Sequence, residues 1–383
     1  MNKYILFILI FIISLTLCGC WNYNELDNFY IVAGIAIDKN IETNLYDIAV
    51  EVVNMKETDI EPNIKSEIIQ SSGNAVFDAV RDMINVSSKK LYWSHATAII
   101  IGETVARDSI LPVLDWVARD QEPRLSMDLI ISKEKSAKEV LVSQSLTTDI
   151  RTFEIDIMTN ENNAYINSPV IEIYEVINAL ALPKTHLVLP TIETTINNDQ
   201  LTNKLSGGAV FKKDKLIGYI NETDAFNYLL FRNEISKGLF NVFTENQEQE
   251  EVITLEIHNT NTRITPIYSE DQIKFDVIVN TEVTIGELGS KRDYISEPGR
   301  YELKKLAEKS LESDMERTFT KIKEEFGLDI FGFGNIIRQR NPKLWKSIED
   351  QWDEIFADLE LNIKCNIHIR NSGHFSKPIE VNN

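Results

Sequence analysis

The sequence is poor in cysteine, in basic residues and in catalytic signatures. Three cysteines in 383 residues leave little scope for a disulfide framework. The chain must therefore rest on its own hydrophobic core, for which it is long enough. Lys and Arg number 39 against 59 Asp and Glu, a formal net charge of −20. That balance argues against nucleic acid as a partner, because phosphate contacts need clustered cations. It also sets the body against anionic lipid headgroups. The chain lacks a phosphate-binding loop, an H-E-x-x-H zinc helix and a G-x-S-x-G elbow. Of its five histidines (His95, His186, His258, His368 and His374), no two lie close enough in sequence to suggest a metal pair. Neither a cofactor nor a metal is expected. No stretch after Cys20 is long and apolar enough to span a bilayer, which takes roughly 20 residues.

What is present begins at the N-terminus. One charge, Lys3, precedes an apolar run that starts at Ile5 and closes at Leu17. The run is too short to span, and its layout is that of an export signal: basic start, apolar stretch, small residues before a cut. Leu17-Cys18-Gly19-Cys20 resembles the lipobox of bacterial lipoproteins. By that resemblance residues 1–19 are a signal peptide. Cys20 is then the lipid-attachment site, carrying a thioether-linked diacylglycerol as the first mature residue. Cys365 would then stand alone. Each buried methylene contributes about 0.8 kcal/mol and one chain holds weakly, so two or three chains on Cys20 would hold firmly.

Apolar content of 43% with 26% charged residues is that of an ordinary globular body. Periodicity predicts a mixed α/β (α+β) fold of three domains, each a mainly antiparallel or mixed sheet with packed helices. The expected blocks are 20–190, 191–250 and 251–383, the last with a four-stranded sheet and helices. In the first block, Ile31–Ile37 and Tyr46–Val52 read as strands, and Val76, Ala79, Val80, Met83 and Ile84 form a helical stripe. Leu91 to Ile101 reads as one strand, Leu111 to Val117 as a helix, and Leu125 to Ile131 as alternating strand. Thr147 to Asn167 reads as a loop or strand. Ser168-Pro169 reads as the start of a helix that Leu182-Pro183 stops. Thr191 to Leu205 reads as a linker, and Gly207 to Ile220 as a hairpin turning at Lys213-Asp214. A helix is expected from about Glu222 to Asn233 and a polar break at Thr244–Glu251. In the last block, Ile253–Ile257 and Ile273–Ile285 alternate, a helix runs from about Tyr301 to Phe326 before Gly327, Asn341-Pro342 opens another, and Leu361–Ile369 alternates strictly.

Several residues invite chemical readings. His95 reads first as a hydrogen-bonded structural histidine and second as a base or ligand. Cys365, on the apolar side of its strand, reads as a buried inert thiol. Gly332-Phe333-Gly334 lacks the third glycine of a nucleotide loop and does not follow a strand, so close packing or a turn explains it better. Arg119, Asp120, Glu122 and Arg124 form a dense charged cluster. It reads first as an ion-pair network and second as a partner contact.

Laid out in order, these segments resemble the Ger(x)C family, the C-subunit lipoproteins of spore germinant receptors. The resemblance rests on Gly19-Cys20-Trp21, Glu25-Leu26, the strand Ile31 to Asp38, and Leu91 to Gly102 with Ser94-His95. It continues through Ala118-Arg119-Asp120 with Glu122 and Arg124, then Gly208 to Leu216 with Gly218. Its strongest part is Asp329 to Leu359, with Asp329-Ile330-Phe331-Gly332-Phe333-Gly334, Asn341-Pro342, Trp345 and Trp352-Asp353. Asn22 and Asn24 depart from the family, which often carries charged residues there. The resemblance implies three domains and a non-enzymatic subunit. It also implies integral-membrane A and B subunits as partners, and a place on the outer-leaflet face of the inner spore membrane. Arg119, Asp120, Glu122, Arg124 and Asp214 are the candidate partner contacts. A lipid-anchored solute-binding protein is the alternative from another class, and an anchored hydrolase a third.

Overall fold

The structure, a computed structural model, describes residues 3–5, 7, 29–56, 63–87, 89–161, 166–246, 249–269, 272–289 and 292–370. Cys20 and Leu17–Gly19 before it lie outside them.

The first sheet grows from a core of short, uniformly apolar strands. β1 (Phe29–Lys39), β2 (Tyr46–Lys56) and β3 (Asn63–Gly73) form an antiparallel meander, followed by α1 (Val76–Ser87). β4 (Lys90–Tyr92) pairs parallel to the start of β1, and β5 (Ala98–Ile101) parallel to its end. Then come α2 (Glu103–Asp108), α3 (Leu111–Arg119), β6 (Asp128–Ser132), α4 (Lys138–Val142), α5 (Arg151–Glu161) and α6 (Ile173–Leu180). β7 (Leu187–Asn197), β8 (Gln200–Lys212) and β9 (Lys215–Ile220) complete the sheet, in the order β3-β2-β1-β5-β6-β7-β8-β9. Every residue of β5 and β6 is buried. Strands covered on both faces read as continuous apolar runs, and these do. One face packs on α1, α2, α3 and α6; the other packs on α4 and α5.

α7 (Glu222–Arg232) leads to the second sheet, β10 (Gly238–Asn246), β11 (Gln249–Tyr268), β12 (Ile273–Leu288) and β13 (Glu360–Ile369). Three strands form an antiparallel meander, and β13 joins parallel to β12 after a helical crossover. The crossover comprises α8 (Glu297–Phe326), α9 (Phe333–Arg340), α10 (Pro342–Ile348) and α11 (Trp352–Ala357). Gly327 ends α8 in the left-handed conformation, and the Asn341 side chain caps α10 by accepting from Leu344 N. One core joins these helices to the second sheet and also takes Val188, Val210 and Ile220 from the first.

The fold is mixed α+β, as expected. Sheet membership divides the chain differently from the expected blocks. The boundary near Thr191 falls inside β7, and residues 191–250 supply strands to both sheets. Four local expectations are corrected. The segment Leu91–Ile101 is two strands, broken by a 3-10 turn at Trp93–His95 that seats Trp93 edge-on against Trp116. Thr147–Asn167 contains α5, held by a carboxylate from β2. The helix after Ser168 starts only at Ile173, with Glu172 and Glu175 forming its capping box; Ser168 Oγ instead donates to the Gly207 carbonyl at 2.7 Å. The expected linker Thr191–Leu205 is a β-hairpin. Its two-residue loop, Asn198-Asp199, has φ of 48° and 63°, the conformation that matches strand twist in tight hairpins.

Candidate functional site

The charged cluster forms at the C-terminal end of α3. Arg119 Nε donates to both Asp115 oxygens at 2.8 and 2.9 Å, one helical turn back. Both side chains are largely exposed, so the pair contributes little. Asp120 caps the helix end and is almost buried. It accepts from Glu122 N at 3.2 Å and lies 3.6 Å from Arg81 of α1. Glu122 pairs with Lys90 of β4, and its carbonyl accepts from Ser94 Oγ at 3.3 Å. Arg124 is exposed, with no hydrogen bond or ion pair to any described residue. The first reading of this cluster therefore holds for Asp120 and Glu122, which brace the sheet. Arg119 and Arg124 present their guanidinium groups to solvent.

Asp214 sits at the other end of the same helix. Its carboxylate accepts from Ser109 Oγ at 2.6 Å, and its carbonyl accepts from Ile110 N at 3.0 Å. The turn between β8 and β9 is thus fastened to the start of α3. The structure does not bring Asp214 together with the cluster.

The cluster adjoins the point where the chain from Cys20 joins the sheet. Phe29 follows Cys20 by nine residues and pairs with Lys90. Lys90 Nζ lies 6.0 Å from the Phe29 ring and Lys89 Nζ 5.1 Å from the Tyr30 ring. Tyr92 stands edge-on to Phe29 at 5.9 Å and tilted to His95 at 5.8 Å. His95 is exposed in this group. Lys89, Lys90 and Arg81 were not singled out from the sequence. No local spacing marks them, since they meet the cluster only through strand pairing.

The remaining candidates resolve into packing. The Cys365 thiol is buried, and burial, with Glu312 nearby, pushes its pKa up. The three backbone N–H groups of Gly332, Phe333 and Gly334 all donate to the Asp329 carboxylate, at 2.8, 3.1 and 2.7 Å. Trp352 Nε1 joins them at 3.2 Å. The apparent nucleotide loop is a cradle already filled by this internal carboxylate. Burial raises the Asp329 pKa against those four hydrogen bonds. A cavity of about 750 Å³ opens beside the ends of β1 and β2, lined by Asp38, Lys39, Asp47 and Lys138 among others. Asp38 there is engaged, accepting from Ser136 Oγ at 2.7 Å and Ala137 N at 2.8 Å. Among the described residues no group of three or more His, Cys, Asp or Glu side chains could hold a metal. Nor is any helix among them long and apolar enough to cross a membrane.

Two mixed sheets in this order, joined through one helical core, place the chain in a known fold class: it shares its fold with a crystal structure of the GerBC protein. The TM-score is 0.56 at 21% identity, over 88% of this chain and 97% of that one. The family described as spore germination protein N-terminal domain matches residues 22–194, and that described as Spore germination B3/GerAC like, C-terminal, matches residues 206–373. The chain belongs to the Ger(x)C family of spore germination proteins. Spore germination protein KC of Bacillus subtilis (strain 168) is 23% identical, covering 99% of this chain and 98% of its own length. Spore germination protein B3 of the same organism is 24% identical, covering 97% and 98%.

Proposed function

We propose that the protein is the lipid-anchored, non-catalytic subunit of a spore nutrient germinant receptor. Cys20 carries the lipid and holds the body on the outer-leaflet face of the inner spore membrane. There it assembles with integral-membrane A and B subunits and acts through contact. The observation that carries this reading is that both halves of the chain match the spore germination family, over 22–194 and 206–373. The lipobox-like Leu17-Cys18-Gly19-Cys20 supports the anchor, and the near-complete coverage of protein KC and protein B3 supports a shared role. The solvent-facing guanidinium groups of Arg119 and Arg124 are the contact candidates that the fold leaves available. The test is Cys20→Ala, followed by membrane fractionation, mass spectrometry of the N-terminal peptide and nutrient-triggered germination. The expected outcome is loss of acylation, release from the membrane and an impaired response. Full retention with normal germination would defeat the reading.

A further inference from the structure

The end of the first sheet where β1 begins carries an apolar groove. Its volume is about 480 Å³, and it is lined by Ile31, Val53, His95, Thr148, Asp149, Ile150 and Phe153. Ile150 and Val53 in its lining are buried and pack on Ala33 beneath, while Ile31 and Phe153 are half-buried. The 750 Å³ cavity, in contrast, is lined largely by charged and polar side chains.

We propose that this groove is a membrane-contact surface that takes up the hydrocarbon boundary of the lipid bilayer. The proposal rests on the anchoring of Cys20. Three observations support it. The first is reach. Cys20 precedes Phe29 by nine residues, and a fully extended chain covers about 3.3–3.6 Å per residue, so this end stays within about 30 Å of the anchor. Ile31, in the groove lining, is two residues further on. The second is the rim. Lys90 lies over the ring of Phe29, on the same side of β1 as Ile31, with Tyr92 alongside and against His95 of the lining. Aromatic rings beside lysines whose stems lie along apolar surface are the side chains that favour a membrane–water interface. The third is charge. The chain carries a net charge of −20, but at this end Lys90 engages Glu122, and Arg124 has no ion-pair partner among the described residues. The local surface is thereby relieved of the repulsion that the body as a whole would meet. The opposite end of β1 instead carries Asp38 beside the charged cavity.

The test uses the full acylated chain, reconstituted in phosphatidylcholine–phosphatidylglycerol vesicles doped with lipids bearing a nitroxide high on the acyl chain. A fluorophore is attached at Phe153→Cys, at Asp149→Cys on the rim, or at Ile41→Cys beyond the far end of β1. Cys365 is buried and does not compete for the label. The expected result is loss of fluorescence at positions 153 and 149 and none at 41. Adding Phe153→Asp to the Asp149→Cys chain should restore its fluorescence. Vesicle-bound protein with no quenching at 153 and 149, or with equal quenching at all three positions, overturns the proposal and leaves the anchoring reading intact. A chain that stays in the supernatant with unmodified Cys20 overturns both.

Discussion

Glu312 of α8 accepts the backbone N–H of Cys365 at 2.9 Å. One turn earlier Glu308 accepts that of Ile367 at 3.1 Å. β13 is an edge strand of the second sheet, and two carboxylates from the covering helix occupy two of its outward donors. An exposed edge invites pairing with another chain, and here the helix carboxylates blunt its middle. Glu312→Ala should cost about 1–3 kcal/mol by leaving a buried donor unpaired. Glu312→Gln, which keeps an acceptor, should cost less. Urea denaturation gives both values, and sedimentation should show more self-association for the alanine variant.

Glu51 is fully buried in β2 and caps α5 from a hundred residues away. It accepts from Arg151 N at 2.9 Å, from Thr152 N at 2.8 Å and from the Thr152 hydroxyl, with Arg151 Nη1 at 3.7 Å. Glu51→Ala strands these donors, and about 3 kcal/mol of stability should be lost. Hydrogen exchange should show the loss concentrated in Arg151–Glu161. Uniform exchange across the sheet would contradict the capping role.

Burial pushes Asp128 up from 3.8 to about 6, with Thr159 donating to it in partial opposition and Asp156, Glu172 and Glu175 adding repulsion. Between those pH values the folded chain holds a proton that the unfolded chain has released. The Asp128 contribution to stability therefore falls as pH rises from about 4 to about 6. Asp128→Asn should remove that slope. It should match the wild type near pH 4 and exceed it at pH 7, by at most about 3 kcal/mol at roughly 1.4 kcal/mol per pKa unit. Thermal melts across this range check the sign.

Gly334 lies under two tryptophans. A Cβ there would stand 2.8 Å from Trp352 Nε1 and 2.9 Å from the Trp345 ring. Gly334→Ala should cost about 1–3 kcal/mol through overpacking. Gly327→Ala meets no steric obstacle but keeps a φ of 61°, so about 1 kcal/mol is expected there from the backbone alone. Comparing the two denaturation midpoints separates crowding from conformation.

Most of the second sheet was legible in the sequence. Ile253, Leu255 and Ile257, then Phe275, Val277 and Val279, alternate and are buried as the period requires. Asn341 and Gly327 mark helix ends by their own side chain or conformational freedom. The hairpin at Asn198-Asp199 carried a turn signal that a polar composition disguised as linker. α5 was not legible, because the acceptor that starts it is Glu51, distant in sequence. The candidate cluster was half legible. Arg119 and Arg124 stand in solvent, but Asp120 and Glu122 find Arg81 and Lys90 only once β4 lies along β1.

The order of residues alone determined where strands alternate, where helices stop, and which family the chain joins, because periodicity, caps and motif spacing are local. The tertiary structure decided what the buried carboxylates do. Glu51 and the half-buried Glu312 each answer backbone donors that only the assembled sheets and helices bring to them, whereas Asp329 takes its backbone donors from the turn that follows it and only the Trp352 bond from further along the chain. It also decided that β1 begins at the end of the first sheet where β4 pairs with it. Strand direction and pairing are settled when distant segments bury their apolar faces together.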